Sequence, residues 1–216
     1  MEKDELKILA RNLANPQGEK GIEIGEMMNA TNISMTLESI KTLLIEDDER
    51  ILEIGPGNAG HLKNILNRAR NLNYTGIDIS ETMYNEAKKL NKDFESQAEF
   101  ILYEGKKLPF GDQVFDKIFT VNTVYFWEDP VAFLNEIYRI LKDDGTFVLT
   151  FGQRRFMETL PFTEYNFTMY SNSEMEQLIS ESHFKRMKIS EKEEDIQSKS
   201  GNETIHRIYT VLTIKK

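Results

Sequence analysis

Gly55, Gly57 and Gly60 stand at G-x-G-x-x-G spacing, directly behind the apolar run Ile51–Ile54 and ahead of a helical pattern. Glycines so placed permit a tight turn with positive φ, let a ligand approach the backbone closely, and aim helix N-terminal N–H groups at an anion. Alone, the spacing equally describes a capping turn with no ligand. Asp78 supplies the missing context. It ends the next apolar run, in Gly76-Ile77-Asp78-Ile79, at about the twenty-residue distance at which an acid meets a ribose. A carboxylate there accepts hydrogen bonds from both ribose hydroxyls, so loop and acid together point to an adenosyl ligand.

Glu53, two residues before the first glycine, bears on which adenosyl ligand. A pyrophosphate favours a loop free of nearby carboxylates. A carboxylate at this point suits the ammonium and sulfonium charges of S-adenosylmethionine better. It also reads as a buried acid satisfied by N–H groups, and both readings can hold together.

These residues need elements to hold them. Residues 2–13 read as an amphipathic helix with Leu6, Leu9, Ala10 and Leu13 on one face. Asn15-Pro16-Gln17-Gly18 breaks it. Helical patterns follow over 22–30 and 33–45, the second carrying Ile33, Leu37, Ile40 and Leu44. From residue 50 the β-rich runs Ile51–Ile54, Tyr74–Ile79, Ala98–Leu102, Phe115–Val121 and Thr146–Phe151 alternate with helical patterns over 60–71, 81–94 and 130–142. Such alternation implies βαβ units and a parallel sheet covered by helices on both faces. Ser80, and Asp129 before Pro130, are expected helix caps. Asp144-Gly145 fits a helix-to-strand turn. A last helix is expected over 172–182, then strands Phe184–Ser190 and Thr204–Ile214, with the polar stretch 191–203 as a hairpin loop.

Composition narrows the function classes. The 216 residues suit one domain with a small appendage, and 39% hydrophobic residues suffice for a core. A formal charge of -9 argues against a broad basic face and so against nucleic acid as partner. With no cysteine, disulfides, thiolate nucleophiles and Cys-ligated zinc are excluded. His61, His183 and His206 lack metal-ligand spacing, so no metal is expected. No apolar run reaches membrane-spanning length and no apolar segment follows the charged N-terminus, which gives a cytoplasmic protein with no membrane partner as the expectation.

Four segments fall in a recognisable order: Leu52-Glu53-Ile54-Gly55-Pro56-Gly57-Asn58-Ala59; Gly76-Ile77-Asp78-Ile79-Ser80 with Met83 behind it; Tyr103-Glu104-Gly105-Lys106-Lys107-Leu108-Pro109-Phe110 leading to Phe115-Asp116; and Glu136-Ile137-Tyr138-Arg139-Ile140-Leu141-Lys142-Asp143-Asp144-Gly145-Thr146. Spanning residues 50–151, they resemble the class I S-adenosylmethionine-dependent methyltransferases, in particular the methyltransferase-11 group. The resemblance implies a Rossmann-like, seven-stranded, mostly parallel sheet with helices on both faces, an antiparallel last strand and an N-terminal helical cap. It divides the chain into a cap or lid over 1–48 and a cofactor-binding domain over 49–216. Glu53, Gly55 and Gly57 would line the methionine end of the cofactor. Asp78 would bind the ribose diol. Ile79 and Met83 would pack on the adenine, with Glu104 and Gly105 at its edge, and Asn122 is counted with the cofactor-lining residues. Three positions depart from the family pattern: Ala59 replaces a usual glycine, Glu104 a usual aspartate, and Asp143-Asp144-Gly145 a usual Pro-Gly-Gly.

Methyl transfer from a sulfonium is an in-line displacement from an activated donor, so positioning and exclusion of water carry most of it. A base is needed only where the acceptor must lose a proton. Amino-methyltransferases acting on adenine or glutamine have Asn/Asp-Pro-Pro-aromatic after the fourth strand. Here Asn122 and Tyr125 stand without the prolines, which counts against those acceptors. Tyr125 is the one candidate for catalysis, although an ordinary phenol is a poor base near neutrality. Acceptor contacts are expected from Met28 and Asn29 in a lid, from Tyr125 and Trp127, and from Tyr165 in an aromatic chamber over Arg154–Tyr170. The expected reaction converts S-adenosylmethionine to S-adenosylhomocysteine (EC 2.1.1.-) with methylation of a small molecule. Acceptor atom and oligomeric state stay open. A non-catalytic S-adenosylmethionine-binding protein and an NAD-binding oxidoreductase are the alternatives.

Overall fold

Ile51, Leu52, Glu53 and Ile54 are all buried, because their strand β1 (Arg50–Ile54) has a neighbour on each side and helices on each face. In this computed structural model, which describes residues 2–197 and 204–216, β1 pairs in parallel with β2 (Asn73–Asp78) and β4 (Phe115–Val121). Strand β3 (Ala98–Leu102) extends the sheet beyond β2, and β5 (Leu141–Gly152) beyond β4. Strand β7 (Thr204–Lys215) runs antiparallel to both β5 and β6 (Arg186–Gln197). The order is β3-β2-β1-β4-β5-β7-β6, seven strands with the antiparallel last strand expected from the sequence.

Period-two alternation along β1 divides the core. Leu52 and Ile54 join Phe133, Leu134 and Ile137 of α5 (Pro130–Ile140) and Met175 and Ile179 of α7 (Asn172–Glu181). Ile51 joins Met35 and Ile40 of α2 (Gly18–Thr42) and Leu62 and Ile65 of α3 (Leu62–Leu66) on the other side. Helices therefore cover both faces. The remaining helices are α1 (Lys3–Ala14), α4 (Glu81–Leu90) and the short α6 (Arg154–Met157).

Four boundaries differ from the sequence reading, each for a local reason. The two helices expected over 22–30 and 33–45 are one, α2, because the Thr31 hydroxyl donates to the Met27 carbonyl at 2.9 Å and no proline or cap interrupts the turn. The helix expected over 60–71 stops at Leu66, since the Arg70 backbone N–H and guanidinium are drawn to Asp47 at 2.8 and 2.9 Å. The expected hairpin loop over 191–203 is strand as far as Gln197, its charges paired across the ladder as Glu194–Arg207 and Asp195–His206; residues 198–203 lie outside the described residues. The turn expected at Asp144-Gly145 lies within β5, where the pairing with β4 shifts register between Phe115 and Lys117.

Side-chain hydrogen bonds fasten the N-terminal helices at both ends. Ser80 caps α4 by accepting from the Met83 N–H at 3.1 Å while donating to the Pro16 carbonyl at 2.5 Å. At the far end, buried Arg207 donates to Glu194 at 2.9 Å and to Ser34 of α2 at 3.0 Å. We expect Ser80→Ala to lower the unfolding free energy by about 2 kcal/mol, one helix cap plus one buried hydrogen bond. Urea titration measures it, and a loss under about 0.5 kcal/mol would remove Ser80 as a fastening.

Candidate functional site

Parallel order reverses between β1 and β4, and the carboxyl ends of flanking strands open a crevice there. A cavity of about 300 Å³ fills that position. Its walls come from the turn after α1, from α2, from the loop after β1, and from the ends of β2, β3 and β4.

The loop after β1 is shaped by backbone. Gly55 and Gly57 have φ of 72° and 57°, a region open to glycine at little cost. A Cβ on Gly55 would lie 2.5 Å from the Thr123 side chain, whereas one on Gly57 would meet nothing within 4 Å. Gly57 thus faces open cavity. Ala59 takes φ 48° while fully buried, held by Leu62 N–H and Asn91 Nδ2 donating to its carbonyl at 3.0 and 3.3 Å. The methyl group is accommodated at the price of backbone strain.

Asp78 ends β2 with Oδ1 accepting from Ser80 N–H at 2.8 Å and Oδ2 from Gly57 N–H at 3.2 Å. One acid therefore sets the loop and remains on the cavity wall. Burial pushes its carboxyl up to about 6; the Ser80 and Gly57 N–H groups pull downward and Glu53 adds to the rise. Glu53, 2% exposed, accepts at Oε2 from Tyr74 Oη at 2.6 Å and His61 Nε2 at 2.8 Å.

The cavity brings together Glu53, Gly55, Gly57, Asp78, Ile79, Met83, Glu104, Gly105 and Asn122, all expected to line the cofactor, and Met28, Asn29 and Trp127 from the expected acceptor side. Ile79 is 39% exposed, an apolar surface left open toward the cavity. Met83 is core as well as wall, since its thioether packs where a Cβ on Gly25 would sit at 2.5 Å.

Two expected acceptor residues lie elsewhere. Tyr125 is off the cavity wall: its Oη donates to Asn122 Oδ1 at 2.9 Å and accepts from Gly152 N–H at 2.6 Å, and burial raises the phenol above its ordinary range. Its hydroxyl ties Asn122 to the backbone of Gly152. Tyr165 is also absent from the wall. In the segment 154–170, Phe167 packs against Phe126 at 4.7 Å and against Phe162 at 5.8 Å. Conversely, His61, Tyr74, Thr36 and Tyr103 escaped the sequence reading as site residues. The signal for the first two was Glu53 itself, a carboxylate in a buried strand that requires donors.

A family model described as a methyltransferase domain matches residues 52–149. YrhH of Bacillus subtilis (strain 168), a methyltransferase in name by inference, is 32% identical over 111 residues, 51% of this chain and 62% of YrhH. The chain thus spans less than two thirds of that relative. Among solved structures, YcgJ of Bacillus subtilis superposes with TM-score 0.70 at 18% identity, covering 85% of this chain and 99% of that one. A SAM-dependent methyltransferase from Aquifex aeolicus gives TM-score 0.63 at 17% identity over the full length of both. Acceptors named among further relatives range from a fatty acid to cycloartenol, so kinship fixes none. Among the described residues no helix is long and apolar enough to cross a membrane.

Asp78 makes a pH-dependent contribution to stability. A carboxyl raised from 3.8 to about 6 binds its proton more tightly when folded. It favours the fold below about pH 4, and that contribution is lost as pH rises through about 6. Between those limits the unfolding free energy of ligand-free wild type should fall relative to Asp78→Ala by up to about 3 kcal/mol. Urea titrations at both ends measure it; a pH-independent difference contradicts the assignment.

Proposed function

We propose, for a chain that belongs to the class I S-adenosylmethionine-dependent methyltransferases, that the cavity holds S-adenosylmethionine and that the protein methylates a small molecule. The observation that carries this reading is the convergence of Asp78, Glu53 and the glycine loop on one cavity at the β1–β4 switch point. The residues suit the group. Asp78 offers carboxylate oxygens to a ribose diol, Ile79 an apolar surface to adenine, and Glu53 an oxygen, Oε1, with no donor among the described residues, to an ammonium. A dinucleotide fits less well. Its diphosphate would face both carboxylates, and Lys106, the one lysine or arginine on the wall, is paired with Glu128 at 2.9 Å.

When bound, S-adenosylmethionine supplies an electrophilic methyl group on a sulfonium. The chain's part is to bind, orient and exclude water. Met28 and Asn29 on α2, with Asn122 and Trp127 opposite, would form the acceptor side. At about 300 Å³ the cavity sits at the low end of ligand sites, which supports a small acceptor admitted by some movement of α2. With Tyr125 buried behind Asn122, no phenol reaches the cavity from that side. That observation keeps a non-catalytic binding protein as the second reading.

Calorimetry with S-adenosylhomocysteine should show micromolar binding, with NADH silent; the reverse pattern would overturn the reading. Asp78→Ala should weaken binding by about 2–3 kcal/mol through loss of two charge-assisted hydrogen bonds, and unchanged affinity in a folded variant would assign the ribose to another acid. Following labelled methyl into a metabolite extract separates enzyme from binder.

A further inference from the structure

Behind the glycine loop, three buried polar side chains close on one atom. Glu53 comes from β1, Tyr74 from β2 and His61 from the residue before α3; they are 2%, 1% and 4% exposed. Tyr74 Oη and His61 Nε2 both engage Glu53 Oε2, at 2.6 and 2.8 Å. Glu53 and His61 also form part of the cavity wall, and neither Glu53 Oε1 nor His61 Nδ1 has a hydrogen-bond partner among the described residues.

The charges around this cluster are few. On β2, Tyr74 and Asp78 face it, and burial together with Glu53 keeps the phenol protonated. From α2 the wall receives Gly25, Met28, Asn29, Asn32 and Thr36, and from the end of β4 Asn122 and Thr123, all uncharged. Glu104, Lys106 and Glu128 lie at the rim, the last two paired and 74% and 78% exposed. The inner wall thus carries two carboxylates and one imidazole that can neutralise one of them.

The cofactor proposed above changes charge in use. Its sulfonium becomes a neutral thioether when the methyl group leaves, so product carries one positive charge fewer than donor. With His61 neutral, the charge of Glu53 is uncompensated and favours the cationic ligand. With His61 protonated, the pair is neutral and that preference weakens. Resting on the cofactor reading, we propose that the His61–Glu53 pair is a charge-compensating site that sets the preference for S-adenosylmethionine over S-adenosylhomocysteine. His61 acts through Glu53 and is a positioning residue. Burial lowers its pKa, but the charge and hydrogen bond of Glu53 outweigh that and leave it above the usual imidazole value. The preference therefore grows as pH rises past that value.

The test is calorimetry of S-adenosylmethionine and S-adenosylhomocysteine with no acceptor, from about pH 6 to about pH 9, for wild type and His61→Gln. Both ligands carry the same ribose, so the ribose contact of Asp78 is common to the two dissociation constants, and His61→Gln, which retains Asp78, reports any remaining effect of its charge. The wild-type ratio should move toward S-adenosylmethionine by on the order of tenfold across the range. His61→Gln, which keeps a donor to Glu53 but has no proton to gain, should hold the high-pH preference throughout. A flat ratio in wild type, or the same trend in His61→Gln, overturns the proposal while leaving the cofactor reading intact. Binding of neither ligand at any pH defeats the cofactor reading and this proposal with it.

Discussion

A carboxylate placed on the central strand of a sheet covered on both faces cannot stay there without donors. Glu53 is that carboxylate, and much of the site's architecture follows from satisfying it. Leaving such a group unpaired would cost several kcal/mol or force its protonation. Its donors must come from the same face of the sheet. Tyr74 supplies one because β2 lies beside β1 in a register that pairs Ile51 with Tyr74. His61 supplies the other because the chain turns at Gly55–Gly60 and brings the start of α3 back over the strand. The loop that lines the cavity and the turn that satisfies Glu53 are therefore one piece of backbone.

Asp78 extends the same economy to the neighbouring strand. It fixes the loop by accepting from Gly57 and starts the next turn by accepting from Ser80, while staying on the cavity wall. Ser80 then caps α4 and holds Pro16, so the N-terminal segment is tied to the Asp78 end of the cavity rather than laid loosely over it. Gly25 lets α2 approach Met83 closely enough to complete the wall. Movement of α2 to admit a ligand must disturb these contacts, and Arg207 with Ser34 and Asn32 restrains its other half.

The half of the cavity proposed to hold the adenosyl group was legible in the sequence because it is written locally. Glu53, the glycines, Asp78–Ile79 and Glu104–Gly105 each sit at a strand end or the turn after it, where type and spacing alone report the need for a tight turn or an acid. Alternation of strand and helix likewise gave the sheet. Less legible were features decided by tertiary partners. Nothing near Thr31 says that its hydroxyl will fold back into α2. The charged run of β6 reads as loop until its partners on β7 are known. Tyr125 and Tyr165 have the right composition for an acceptor wall, but Tyr125 finds Gly152 and Asn122, and Phe167 beside Tyr165 packs on Tyr125 and Phe126.

Ala59 shows how strongly the loop's shape is imposed. An L-residue in the left-handed region costs about 1–2 kcal/mol. Gly60 does not take over the left-handed position; Ala59 itself adopts φ 48°. Its carbonyl is held by Leu62 and by Asn91 at the end of α4, while Asn58 Oδ1 accepts from Gly60 N–H at 3.1 Å. Gly60 has to remain small for another purpose, since a Cβ there would lie 2.5 Å from Asn29 of α2. The glycine pattern thus serves three neighbours. Gly55 makes room for Thr123, Gly57 leaves the loop open toward the cavity, and Gly60 admits the helix that closes it, so the same few residues couple the loop proposed to hold the cofactor to the element proposed to meet the acceptor.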